Sequence, residues 1–242
     1  MRQINVHITA FSLIFLLSSF SGLPVNSEKN SAGRTNDISP LRIGIAKIVS
    51  IKASLLYESL DLEEKGLSKE AFEYAYKGYS QLLEKNRITR PDYLTICDLS
   101  QSAKQKRLYI IDIINSRIVL NTYVAHGRNS GGEYARRFSN RPKSLQSSLG
   151  FYVTRNVYSG EHGLSLRVEG LEPGFNDGAY RRAIVIHGAN YIGGGFTGRS
   201  YGCPAVPKSE CQAIINTIKN GTCLFIYHPE KKYLQRSKIL NG

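Results

Sequence analysis

A chain of 242 residues can fold one medium-sized core with an appendage and is too short for two full-sized domains. Its 32 lysines and arginines against 19 acidic residues give a net charge of +13, which points to an anionic partner, yet no arginine-rich block or RNA-binding signature argues for nucleic acid. Four cysteines are too few for a dense disulfide framework, and neither H-x-H nor H-E-x-x-H occurs, so neither a zinc peptidase nor any other metal or cofactor is expected.

Residues 1–21 carry Arg2, an apolar run over 8–20 and small residues at the end, which reads as a signal peptide. The run is shorter than the roughly 20 residues of a comfortable bilayer span, so cleavage near Ser21 is expected over an uncleaved anchor. Residues 22–40, rich in Ser, Asn, Gly and charge, read as a linker. A helical region follows over 41–90. Ile45, Ile48, Val49, Leu55 and Leu56 recur with helical spacing, and a second helix starts at Ser68 as N-cap and presents Phe72, Ala75, Tyr76, Tyr79 and Leu83. Both stripes are assigned to packing.

After Arg90-Pro91 the texture changes. Short runs rich in Ile, Val, Leu and Tyr predict strands over 93–99, 107–114, 117–125, 149–154, 164–169, 183–187 and 223–228, with Asn115-Ser116 as a hairpin turn. A helix is predicted over 207–220, Pro207 in its first turn and Gly221 at its C-cap, with Cys211, Ile214, Ile215 and Ile218 on its apolar face. Cys211 is thereby a core thiol. The fold class is α+β, a helical N-terminal region ahead of a mostly β catalytic region over 91–230, with 231–242 as a basic C-terminal tail.

The chemistry is concentrated in one stretch. Residues 183–186 deliver His187, then Gly188-Ala189, and a loop with Gly193, Gly194, Gly195 and Gly198 leads to Arg199-Ser200-Tyr201-Gly202-Cys203-Pro204-Ala205. A thiol becomes a good nucleophile when a neighbouring imidazole and a helix start lower its pKa, and Cys203 stands four residues before Pro207. Gly202 allows close backbone approach, so the amides of Gly202 and Cys203 can form an oxyanion hole. Taken alone, a cysteine ahead of a helix is more often a packing thiol; the small residues around both His187 and Cys203 favour a site open to substrate. Ser200 and Arg199 can bind a substrate carboxylate or be structural. His126, ahead of Gly127, can line the cleft or hydrogen-bond within the fold. His162, in Ser159-Gly160-Glu161-His162-Gly163, reads as a solvated hairpin tip.

Residues 123–131 (Y-V-A-H-G-R-N-S-G), 138–140 (F-S-N), 147–152 (S-S-L-G-F-Y), 184–189 (I-V-I-H-G-A) and 198–206 together resemble the YkuD-type L,D-transpeptidases, in particular a branch whose nucleophile motif reads R-S-x-G-C-P-A. The resemblance implies a β-sandwich-like catalytic domain with Cys203 as nucleophile, His187 as base and the Gly188 carbonyl orienting the imidazole. It implies attack on a peptidoglycan stem peptide after its third, L-centred residue, release of the terminal D-amino acid, and a thioester resolved by an amine of a neighbouring stem. Such an enzyme is exported to the periplasm or cell wall, where the positive charge suits envelope polymers or a membrane surface. Tyr201 departs from the histidine usual in the broader family, as does Pro204-Ala205 after the cysteine, which bears on acceptor contacts and leaves the dyad intact. An L,D-carboxypeptidase, with water replacing the amine, uses the same dyad. A non-catalytic wall-binding protein is the third reading.

Overall fold

The computed structural model describes residues 40–192 and 200–242. The expected signal peptide and linker lie outside the described residues, as does Arg199.

Helices α1 (Pro40–Ser59) and α2 (Lys69–Glu84) come first. Ser68 caps α2, its hydroxyl accepting the Ala71 N–H at 3.2 Å, with Glu70 in the first turn where the helix dipole favours negative charge. Phe72, Ala75, Tyr79 and Leu82 of α2 are buried, while Leu83 is exposed. The α1 stripe also differs from expectation: Ala53 and Tyr57 reach the core, and Ile45, Ile48 and Leu55 face outward, Leu55 with 63% of its surface exposed. Helical spacing identifies the helix but does not fix which side of it meets a neighbour.

The remainder is one eight-stranded sheet. In chain order its strands are β1 (Tyr93–Asp98), β2 (Leu108–Asp112), β3 (Arg117–Thr122), β4 (Gly150–Gly160), β5 (Gly163–Gly170), β6 (Val185–Ala189), β7 (Ala205–Pro207) and β8 (Cys223–Tyr227). Their spatial order is β3-β2-β1-β8-β4-β5-β6-β7. Central β8 runs parallel to β1 and antiparallel to β4, and every one of its residues is buried, as its unbroken apolar sequence requires. Phe151 of β4 stacks on Phe225 of β8, ring centroids 4.1 Å apart. After β3 the chain returns to the opposite edge: Ala125 N–H donates to the Ala205 carbonyl at 2.8 Å and Arg128 N–H to the Ser200 carbonyl at 2.8 Å. The mostly β core is therefore barrel-like, a sheet turned back on itself.

Helix α3 (Lys208–Ile218) follows β7 directly, with Cys211, Ile214, Ile215 and Ile218 buried. The basic segment expected as a tail folds as α4 (Lys231–Arg236) and α5 (Lys238–Asn241). It holds on because Tyr233 and Leu240 are buried, and because the Tyr233 hydroxyl (2.8 Å) and the Ser237 hydroxyl both donate to the buried Glu172 carboxylate.

Candidate active site

Strand β6 holds His187 between two neighbours. It pairs antiparallel with Ser165 of β5 on one side and parallel with Ala205 of β7 on the other. Cys203 lies two residues before Ala205, in the bend that leads into β7, so the parallel pairing of β6 and β7 sets the thiol beside the strand that holds the imidazole.

The imidazole of His187 is buried, with Nδ1 3.2 Å from the Gly188 carbonyl oxygen. In that arrangement Nδ1–H donates and Nε2 is left unprotonated. His162 is exposed at the tip of the β4–β5 hairpin, as expected, and it also stacks on His187 with centroids 4.4 Å apart and planes at 23°. Burial pushes the His187 pKa below the ordinary imidazole range, the Gly188 hydrogen bond opposes that, and the neighbouring His162 adds to it. Gly188 has a packing reason to be glycine, because a Cβ there would lie 2.9 Å from Cys211 Cβ and 3.1 Å from Lys208 Cα on α3.

Cys203 is half-buried, its Sγ 3.7 Å from the Ala183 carbonyl. Ala183 adopts φ 53°, a left-handed conformation uncommon for a residue with a Cβ, immediately ahead of β6. Burial pushes the thiol up, opposed by a hydrogen bond to the Val185 backbone and by the positive charge of Arg182. This overturns the expectation of a lowered pKa. The helix start does not help, because β7 intervenes at about 3.3 Å per extended residue and the dipole acts within the first turn. Both shifts thus favour the uncharged thiol and the uncharged imidazole.

Arg182 has no signal in the sequence beyond a basic pair, because its role lies in contacts made across the fold. Its guanidinium donates to the carbonyls of Ser139 (2.7 Å) and Gln146 (2.6 Å) and to the hydroxyls of Ser144 (3.3 Å) and Ser148. The serine-containing motifs at 138–140 and 147–152 are what this arginine gathers beneath the thiol. Gly202, at φ 117°, passes so close that a Cβ would lie 2.7 Å from the Gln146 carbonyl oxygen and 3.1 Å from Arg182 Nη2. Its N–H donates to Ser200 Oγ at 3.2 Å, so the Gly202 amide is engaged within the loop.

The other named residues are dispersed. Ser200 is buried and braces the loop through Gly202 and Arg128. Tyr201 is 66% exposed beneath the Arg128 guanidinium, 5.1 Å from carbon to ring centroid. His126 does not line a cleft: it is fully buried, Nδ1 accepting from Arg107 Nη2 at 2.8 Å and Nε2 facing the Gly131 carbonyl at 3.3 Å. Burial, then the charge of Arg107, pull its pKa down to about 4. Cys97, Cys211 and Cys223 are buried free thiols, and burial pushes Cys97 up to about 12. Among the described residues no three His, Cys, Asp or Glu side chains group to hold a metal.

The family model for the L,D-transpeptidase catalytic domain, YkuD_2, matches residues 63–227. Among solved structures the chain is similar to an L,D-transpeptidase from Mycobacterium smegmatis, with 11% identity over 57% of this chain and 59% of that one, at a TM-score of 0.37. It is likewise similar to an L,D-transpeptidase from Mycobacterium tuberculosis, with 12% identity over 57% of this chain and 58% of the other, at 0.39. A third is the helical cell shape determining protein Pgp2 from Campylobacter jejuni, with 16% identity over 65% and 55%, at 0.39. The chain spans less than two thirds of each of these proteins. No curated protein sequence matches it.

Proposed function

Because the chain belongs to the L,D-transpeptidase catalytic domain family, we propose that it is an exported peptidoglycan L,D-transpeptidase with Cys203 as nucleophile and His187 as general base. The observation that carries this reading is that β6 holds His187 while the segment leading into its parallel neighbour β7 holds Cys203, whose Sγ lies against the Ala183 carbonyl just ahead of β6. With Nδ1–H held on the Gly188 carbonyl, Nε2 is the ring nitrogen left to take the thiol proton. A depressed imidazole pKa keeps that nitrogen unprotonated at neutral pH, and the proton moves as Sγ attacks the carbonyl carbon of the donor's third residue.

The developing oxyanion is served by the Cys203 amide, and by the Gly202 amide once Ser200 Oγ yields it. Collapse of the tetrahedral species breaks the C–N bond, and His187 returns the proton to the departing D-amino acid. An amine of a neighbouring stem then attacks the thioester, His187 accepts its proton, and collapse breaks the C–S bond to give the cross-link without ATP, the proton passing from His187 to the departing Cys203 sulfur. Arg182 acts beneath the sulfur, its charge favouring negative charge there as the thiol ionises. Residues 1–21 support export as a signal peptide, and a net charge of +13 suits an acidic wall. Among the described residues no helix is long and apolar enough to cross a membrane.

The test is muropeptide analysis after incubating purified protein with tetrapeptide-rich sacculi. A new cross-linked dimer, absent with Cys203→Ala, is expected. Tripeptide without dimer would make the protein a carboxypeptidase, and unchanged muropeptides would contradict the reading.

A further inference from the structure

Beside the dyad, β5 projects an arginine onto the face that carries His187. Ser165 pairs with His187 and Arg167 with Val185, and since paired and alternate residues of antiparallel strands share a face, Arg167 and His187 project the same way. Tyr158, paired with Ser165, shares that face. The Arg167 guanidinium carbon sits 4.4 Å from the Tyr158 ring centroid and 5.7 Å from that of Tyr180. Tyr180 is 66% exposed, and its carbonyl accepts the N–H of Ala183, the residue whose own carbonyl meets Cys203 Sγ. One turn thus links the tyrosine to the nucleophile.

Nearby Glu169 is occupied by Arg155 at 2.5 Å and Arg87 at 4.0 Å. Among the described residues no ion pair or hydrogen bond engages the Arg167 guanidinium. It lines, with Tyr180, Arg155, Asn156, Asn220 and the Arg155-paired Glu169, an open cleft of about 530 Å³. Aromatic rings hold a guanidinium in place without consuming its N–H donors, which leaves the planar fork for a carboxylate.

We propose that Arg167, cradled by Tyr158 and Tyr180, binds a carboxylate of the donor peptide one strand away from His187. The proposal rests on the transpeptidase reading, in which the departing residue ends in a carboxylate one carbon from the leaving nitrogen. A side-chain carboxylate on the acyl-donating residue offers the same chemistry, and the test separates the two.

Three tetrapeptides are compared: the free acid, its C-terminal amide, and a peptide amidated on the side chain of the third residue. Their Kd values are measured by calorimetry on Cys203→Ala protein with and without Arg167→Gln, and kcat/KM on the active enzyme with and without the same change. The free acid should bind at least about tenfold tighter than the C-terminal amide, the scale of one charge-assisted hydrogen bond. Arg167→Gln should abolish the preference while leaving the affinity for the C-terminal amide unchanged, with the loss in kcat/KM falling on KM. If only the third-residue amide binds weakly, Arg167 holds the side-chain carboxylate. A free acid that binds no better than both amides, or a preference that survives Arg167→Gln, overturns the proposal. Absence of a thioester on Cys203 with all three peptides ends the transpeptidase reading separately, and the Kd values still decide on Arg167.

Discussion

Around the Cys203 sulfur, burial raises the thiol pKa while Arg182 and the Val185 backbone lower it, and burial prevails. His187 is pushed the other way, below its ordinary value. Both shifts favour the uncharged pair, which supports the proposed general-base reading in which the thiolate forms during attack. Alkylation of Cys203 by iodoacetamide should therefore show a midpoint at or above the ordinary thiol value of about 8.5. His187→Ala should leave the midpoint nearly unchanged while turnover falls by about 10² or more. A midpoint well below that value, rising on His187→Ala, would instead establish a resting ion pair.

The buried His126 is a second residue with a measurable consequence. Its imidazole titrates at about 4 in the fold against roughly 6.5 in an unfolded chain. The unfolded chain therefore binds the proton first as pH falls. Stability held above about 6.5 is lost toward pH 4 at about 1.4 kcal/mol per unit, or about 2 kcal/mol by pH 5. Urea unfolding at pH 7.5 and pH 5 should show a drop smaller by about that amount in His126→Gln than in wild type. Equal drops would mean that His126 does not carry the effect. Sequence leaves both roles of His126 open because only its contact with Arg107, 19 residues away in the chain, settles burial.

Among the elements, the approach of α2 to the sheet is set by Gly78. A Cβ there would lie 2.0 Å from Phe151 Cζ, and Phe151 is already stacked on Phe225. Gly78→Ala gains about 1 kcal/mol of helix propensity but overpacks the core at a cost of about 1–3 kcal/mol. A net loss of stability is expected, read as a lower urea midpoint; an unchanged or higher midpoint would mean that α2 is not fixed at this distance. Elements such as α2, β1 and β8 are legible from residue pattern, α2 by its helical period and β1 and β8 as short apolar runs buried on both faces. The three-residue β7, preceded by Pro204 and ending on Pro207, carries no period at all. The second half of β4 is hidden by a register shift between Thr154 and Val157, and α4 and α5 by their charge. Gly188 reads as an opening for substrate, yet its tightest contacts are with α3. His162 and Arg182 are invisible to spacing, since what matters for each is a side chain brought near by the fold.

At the scale of the whole molecule, the turned-back sheet is what assembles the site. Residues 125–128 brace 200–205, β6 and the bend ahead of β7 hold the proposed dyad of His187 and Cys203, and Arg182 ties the serine loops together. We propose that Cys203, alone among the four free thiols, carries the acyl group. The direct measurement is acid-quenched mass spectrometry of the full chain mixed with a tetrapeptide donor and no acceptor, followed by peptide mapping. An adduct of the donor less its terminal residue is expected on the Cys203 peptide, absent in Cys203→Ala and formed about 10² or more times slower in His187→Ala. Acylation of Cys97, Cys211 or Cys223, or donor turnover by Cys203→Ala protein, would contradict it.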